Sequence, residues 1–213
     1  QTIQGNPVGG GSSSVTVSRN GDLLHKIWVT NNSTSLTNGG ALINEVELEI
    51  GGQKIDKHTS EWMDIWQELS IDAKSDRGLA LAMMIHSSHD AEDDDKAHTR
   101  TSGMIQIPLH FWFCRNVGLA LPLIALQYHE VKLKVKWGTK AHAGHGTAIA
   151  QTKVVADYIY LDTDERRRFA QVSHEYLIEQ IQEQSCKATT TQKLNFNHPV
   201  KELIWTSPYV NAY

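Results

Sequence analysis

The sequence predicts an all-β, antiparallel sandwich or barrel of the jelly-roll or immunoglobulin kind, with one or two short helices in its loops. Three observations carry that expectation. Apolar residues recur with a period of two, the patterned runs are short and separated by Gly, Asn and Asp turns, and helical periodicity is confined to two stretches. Alternating βαβ units are not described by such a pattern.

Taken in order, Gly9–Ser14 (GGGSSS) reads as a flexible connection. Val15-Thr16-Val17-Ser18 alternates, and Leu24–Thr30 follows across Asn20-Gly21-Asp22, an Asn-Gly hairpin signal. Val46–Ile50 (VELEI) alternates strictly, ends at Gly51-Gly52 and is followed by Gln53-Lys54-Ile55. Glu61–Leu69 places Trp62, Ile65, Trp66 and Leu69 on one helical face, with Ser60 as N-cap. Val131–Trp137 (VKLKVKW) alternates apolar residues with lysine, so one face meets a core and the other meets water. Val154–Leu161, Tyr176–Gln182 and Val200–Trp205 complete the strands. Thr163–Ala170 opens with acids and continues with Arg166, Arg167 and Arg168, the order that suits a helix dipole. Asp90–Lys96 and Lys140–Thr147 read as polar loops at the ends of the sandwich.

Composition narrows the function classes. The 213 residues carry 20 Lys plus Arg against 24 Asp plus Glu, a net charge of −4, which argues against a nucleic-acid binder with its clustered cationic excess. Two cysteines, Cys114 and Cys186, cannot build a disulfide framework or a four-cysteine metal site, and read as reduced thiols. The most apolar stretch, Met104–Leu126, is interrupted by Pro108, Arg115, Asn116 and Pro122, so no spanning helix is expected there. No signal peptide is expected from Gln1–Gly5. The missing initiator Met, and a strand-like run close to Tyr213, give the expectation of a piece of a longer chain.

Candidate chemistry is thin. His86 with His89, and His142 with His145, have ligand-like spacings but no accompanying cysteine or carboxylate pattern, so they read as loop histidines. Asp90, Glu92, Asp93, Asp94 and Asp95 lack the spaced ligands and distal Glu of a calcium loop, and read as a solvated tip. Ser173-His174-Glu175 cannot form a catalytic relay on a strand, where neighbours face opposite ways. No catalytic, cofactor-binding or metal-ligating residue is therefore assigned, and no enzyme is expected. Asn31 and Asn32 each open a glycosylation sequon, Asn31-x-Ser33 and Asn32-x-Thr34, which also read as a polar turn. The six tryptophans, Trp28, Trp62, Trp66, Trp112, Trp137 and Trp205, read as core rather than as a sugar-stacking platform. Gly118–Leu126 (GLALPLIAL) reads as a buried link between strands, with a contact toward a neighbouring subunit as the alternative.

Five ordered blocks carry a more specific signal: Val17–Leu24 (VSRNGDLL), Glu49–Trp66 (EIGGQKIDKHTSEWMDIW), Ile107–Val131 around IPLHFWFCRNVGLALPLIALQYHEV, Asp162–Glu179 (DTDERRRFAQVSHEYLIE) and His198–Trp205 (HPVKELIW). Together they closely resemble the major capsid proteins of nucleocytoplasmic large DNA viruses, the group of phycodnaviruses, iridoviruses and mimivirus relatives. The resemblance implies an eight-stranded antiparallel jelly roll, one of two in tandem. It also implies a homotrimer of pseudo-hexagonal outline, tiling an icosahedral shell beside other capsomers and minor capsid proteins. An internal viral membrane lies near but is not spanned, nucleic acid is not contacted, and assembly takes place in the host cytoplasm. No cofactor is implied. By the same resemblance residues 1–205 are the first jelly roll, and 206–213 start the link to a second that the chain lacks. The rival expectation is a carbohydrate-binding jelly roll using loops such as Lys140–Thr147 or Ser88–His98.

Overall fold

The computed structural model describes residues 3–5, 9–31, 42–70, 105–138, 152–186 and 191–206. Two antiparallel sheets make up the body. The first holds five strands in the order β1 (Gln4–Gly5), β2 (Ser12–Thr16), β8 (Val131–Trp137), β4 (Ile43–Ile50) and β5 (Gln53–Thr59). The second is built on β3 (Leu23–Asn31). Strand β9 (Thr152–Ile159) pairs along one of its edges, while β6 (Ile105–Pro108) and β7 (Leu121–Pro122) share the other. Helices are short: α1 (Ser60–Ser70), α2 (Trp112–Arg115), a 3-10 turn at Val117–Leu119, and α3 (Thr163–Gln171). The all-β, antiparallel sandwich with few helices is the architecture that the alternation predicts.

The core lies between the two sheets. Val15, Val46, Leu48, Leu133, Val135 and Trp137 enter it from the first sheet, and Leu24, Ile27, Val29, Ile107 and Val154 from the second. Strand β8 shows why the pattern works. Val131, Leu133, Val135 and Trp137 are buried, while Lys132, Lys134 and Lys136 stand opposite Glu49, Glu47 and Glu45 of β4 on the outer face. Lys54 and Lys57 of β5 pair with Glu47 and Glu45 at 3.4 Å. These exposed pairs are each worth under about 1 kcal/mol, and they keep the outer face solvated and neutralise it locally. The β4–β5 hairpin turns at Gly51 (φ 60) and Gly52 (φ 82), conformations that cost little without a Cβ.

Several expectations are corrected. Asn20-Gly21-Asp22 does not close a hairpin, because β2 and β3 lie in different sheets and the turn crosses between them. Gly21 is needed for a close approach instead: a Cβ there would lie 2.5 Å from Cβ of Tyr158. Asp22 is buried, accepting from Leu161 N–H at 2.8 Å and Arg166 at 2.9 Å. Ser12–Ser14 is strand rather than flexible connection, pairing with Lys136, Val135 and Lys134; Ser13 Oγ accepts from the buried Trp137 indole N–H at 2.9 Å. The cap of α1 is Thr59, whose Oγ1 accepts from Trp62 N–H at 3.3 Å, so Ser60 is already helical. Met63 and Gln67 form the deepest line of α1, whereas Leu69 is exposed. Residues 176–182 and 200–205 carry no regular secondary structure, since no backbone ladder reaches them among the described residues. Gly118–Leu126 does pack inward, with Ala120, Leu121 and Leu123 buried.

The chain forms two compact units, residues 1–181 and 182–213. In the second, Gln182 and Gln184 use their side-chain amides where a strand would use its backbone. Gln182 pairs with both N–H and C=O of Asn197 (2.9 and 3.1 Å), and Gln184 with Asn195 N–H and Lys193 C=O at 2.8 Å. No helix among the described residues is long and apolar enough to cross a membrane.

Candidate functional site

The predicted site residues are scattered. Asn31 ends β3 with its side chain buried, and its Nδ2, the atom a glycan would need, donates to Thr152 Oγ1 at 2.7 Å. Asn32, His86, His89, the acidic residues 90–95, His142 and His145 lie outside the described residues, as do the loops 88–98 and 140–147. Among the described residues no group of three or more His, Cys, Asp and Glu is placed to hold a metal ion. His174 engages Phe169 O at 2.7 Å and stacks on that ring at 5.0 Å, so Ser173-His174-Glu175 forms no relay. Cys114 is buried and Cys186 exposed, both as free thiols. Burial pushes the Cys114 thiol up to about 12. Trp112 and Trp137 are core residues as expected, but Trp205 is 86% exposed.

The structure brings together polar residues that the sequence reading left unassigned. Asp56 and His58 sit two apart on β5, so they share a face, and that face points inward: Asp56 stands opposite Leu48 and His58 opposite Val46. They are 4% and 0% exposed. The Asp56 carboxylate accepts from His58 Nε2 at 3.0 Å and from its neighbour Lys57 N–H at 2.8 Å. His58 stacks on Phe111 at 4.5 Å. Nearby, Arg115 lies 4.0 Å over the Trp66 ring and donates to His110 O at 3.0 Å and to Glu179 at 2.7 Å. Burial, then His58 and Arg115, pull His110 down to about 4, leaving it neutral near pH 7. Counting outward from the Gly-Gly turn pairs Asp56 with Glu47 and His58 with Glu45, both outward-facing. The irregularity between Leu48 and Glu49 shifts the register by one and turns the two residues inward, which the sequence pattern does not announce.

A second cluster shapes the surface. The Arg19 guanidinium donates to the backbone carbonyls of Leu126, Gln127 and His129, pinning the 126–129 turn with Tyr128 almost fully exposed at its tip. One charged fork satisfying three carbonyls holds a loop firmly. Arg166 and the Leu161 N–H hold the start of α3 on Asp22, whose carboxyl is lowered first by that Leu161 N–H and then by Arg166. These devices fix shape and present surface. They assemble no nucleophile, base and orienting group.

The fold is that of a jelly-roll capsid protein, and solved structures agree. The chain matches a chain in a quasi-atomic model of the PBCV-1 virus capsid with a TM-score of 0.70 and 39% identity, covering 93% of this chain and 52% of that one. The family described as "Major capsid protein N-terminus" matches residues 1–162, and "Large eukaryotic DNA virus major capsid protein" matches 165–211. The chain belongs to the major capsid protein family of large eukaryotic DNA viruses. It is 50% identical to the major capsid protein of Pyramimonas orientalis virus, over 96% of this chain and 54% of that protein. It is 41% identical to the major capsid protein of Paramecium bursaria Chlorella virus 1, over 96% and 51%. Capsid protein 1 of Acanthamoeba polyphaga mimivirus is 38% identical over 99% and 42%. The chain thus spans about half the length of these curated relatives.

Proposed function

We propose that this chain is the first jelly roll of a double jelly-roll major capsid protein, which trimerises into pseudo-hexagonal capsomers of an icosahedral shell. The observation that carries the reading is the order of the two family matches. The N-terminal one ends at residue 162 and the second opens at 165, in a chain about half as long as its relatives. Exposed apolar side chains in the second unit support it. Leu194, Val200, Leu203, Ile204 and Trp205 are strand-like in pattern and uncovered, the state of a segment made to be buried by more protein.

The first jelly roll over 1–205, and the start of its link to a second jelly roll over 206–213, are part of the same proposal. The partners are two sister chains, neighbouring capsomers and minor capsid proteins, and the place of work is the capsid shell. Assembly runs in the host cytoplasm, over an internal membrane that this chain does not cross, without contact to nucleic acid and without catalysis. The ion-paired outer face of the five-stranded sheet fits such work, since it stays wet and resists non-specific association.

The test is to express the full-length parent chain and measure its mass in solution and its outline by electron microscopy. Trimers of pseudo-hexagonal outline are the expected result. A stably monomeric full-length protein would overturn the proposal.

A further inference from the structure

Residues 172–181 follow α3 without joining a sheet, yet they are tied down along one side. Tyr176 Oη donates to Ala120 O at 3.3 Å, Glu179 accepts from Arg115 at 2.7 Å, and Gln180 Nε2 donates to Ile55 O. Ile181, the last residue of the first unit, donates its backbone N–H to Asp56 Oδ1 at 3.0 Å. Of these four contacts only the last uses the segment's own backbone. Apolar burial is not what holds this strap, for Leu177 is 90% exposed and Ile178 37%.

Asp56 supplies the reason for docking. A carboxylate at this depth is costly unless its lone pairs are filled. Two donors come from its own strand, Lys57 N–H and His58 Nε2. The third comes from a residue 125 positions away in sequence. His58 stacks on Phe111 and Asp56 is itself buried, so solvent does not readily replace a lost donor. We infer that Asp56, oriented by His58, is the docking residue that registers the strap 172–181 on the sandwich and sets the point where the chain leaves its first unit. The contact is specific in register: sliding the strap by one residue would carry the Ile181 N–H about 3 Å from the Asp56 oxygen.

Limited digestion of the 213-residue chain with chymotrypsin, which cuts after Tyr176 and Leu177, tests this. Ile181→Pro deletes the donor and leaves the sandwich residues intact. Asp56→Leu deletes the acceptor, and a third protein combines both. Each single variant is expected to speed cleavage at Tyr176 and Leu177 by about tenfold or more, the loss of one well-made hydrogen bond to a charged group, with β4 and β8 as resistant as before. The double variant is expected to match the singles, because the two changes break one contact. Unchanged cleavage of the strap in Ile181→Pro would overturn the inference, and so would additive effects in the double variant. If Asp56→Leu opens β4 and β8 to cleavage as well, it reports unfolding, and Ile181→Pro alone decides.

Discussion

Acidification should weaken this fold through His110 in particular, and the size of the effect follows from its surroundings. The residue opens the His110–Phe113 run, its ring 6.4 Å from that of Trp66, with His58 and Arg115 close enough to oppose a further positive charge. Its pKa falls from an ordinary 6.5 to about 4. The unfolded chain therefore takes up this proton near pH 6.5, and the folded chain does not until about pH 4. The unfolded state binds more protons throughout that window, so stability rises with pH across it and is lost as pH falls. From these two pKa values the loss is about 2 kcal/mol at pH 5 and about 3 kcal/mol at pH 4, relative to pH 7.5. Urea unfolding of the wild-type chain and His110→Gln at intervals between pH 7.5 and 4 isolates the contribution. The wild-type stability should fall more steeply than the variant's by those amounts, with the gap opening below pH 6.5. Parallel curves, or a steeper fall in His110→Gln, would refute the argument from burial and like charge.

Two further outcomes follow from local geometry. Gly52→Ala meets only the left-handed backbone (φ 82) with nothing within 4 Å, and should cost about 1–2 kcal/mol by thermal or urea unfolding. Gly51→Ala adds a Cβ 2.6 Å from His129 Nδ1 and should cost more; equal losses would show that His129 yields freely. Cys186 should react with a thiol reagent at pH 8 while Cys114 does not, its thiol being buried and pushed up to about 12. Denaturant should bring the second thiol into reach, and rapid labelling of two thiols in the native chain would contradict the burial.

Where local physics and tertiary packing agree, the sequence was enough. Val131–Trp137 alternates because one face is core and the other water, and its strand bounds fall where the pattern puts them. Helix α3 opens behind Asp162, whose Oδ1 accepts from Glu165 N–H at 2.8 Å, and acids then bases follow the dipole. The family blocks, too, lie in the chain itself. Asn-Gly at residues 20–21 misled because turn propensity is local, while the sheet a strand joins is decided by distant partners: β3 takes β9, some 130 residues on, rather than β2. Ser13 of β2 misled in the same way, since its burial depends on Trp137.

By itself, then, the sequence determined the all-β class, the family, the inward and outward faces of the central strands, and the absence of a recognisable catalytic pattern. Only the tertiary structure decided which strands share a sheet and which polar residues are buried. It also decided that Asp56 of β5, bonded to His58, meets the backbone of Ile181. Alternation along a strand is a short-range property that each segment carries alone. A buried carboxylate and its third donor are 125 residues apart, and only the folding of the intervening chain brings them within 3.0 Å.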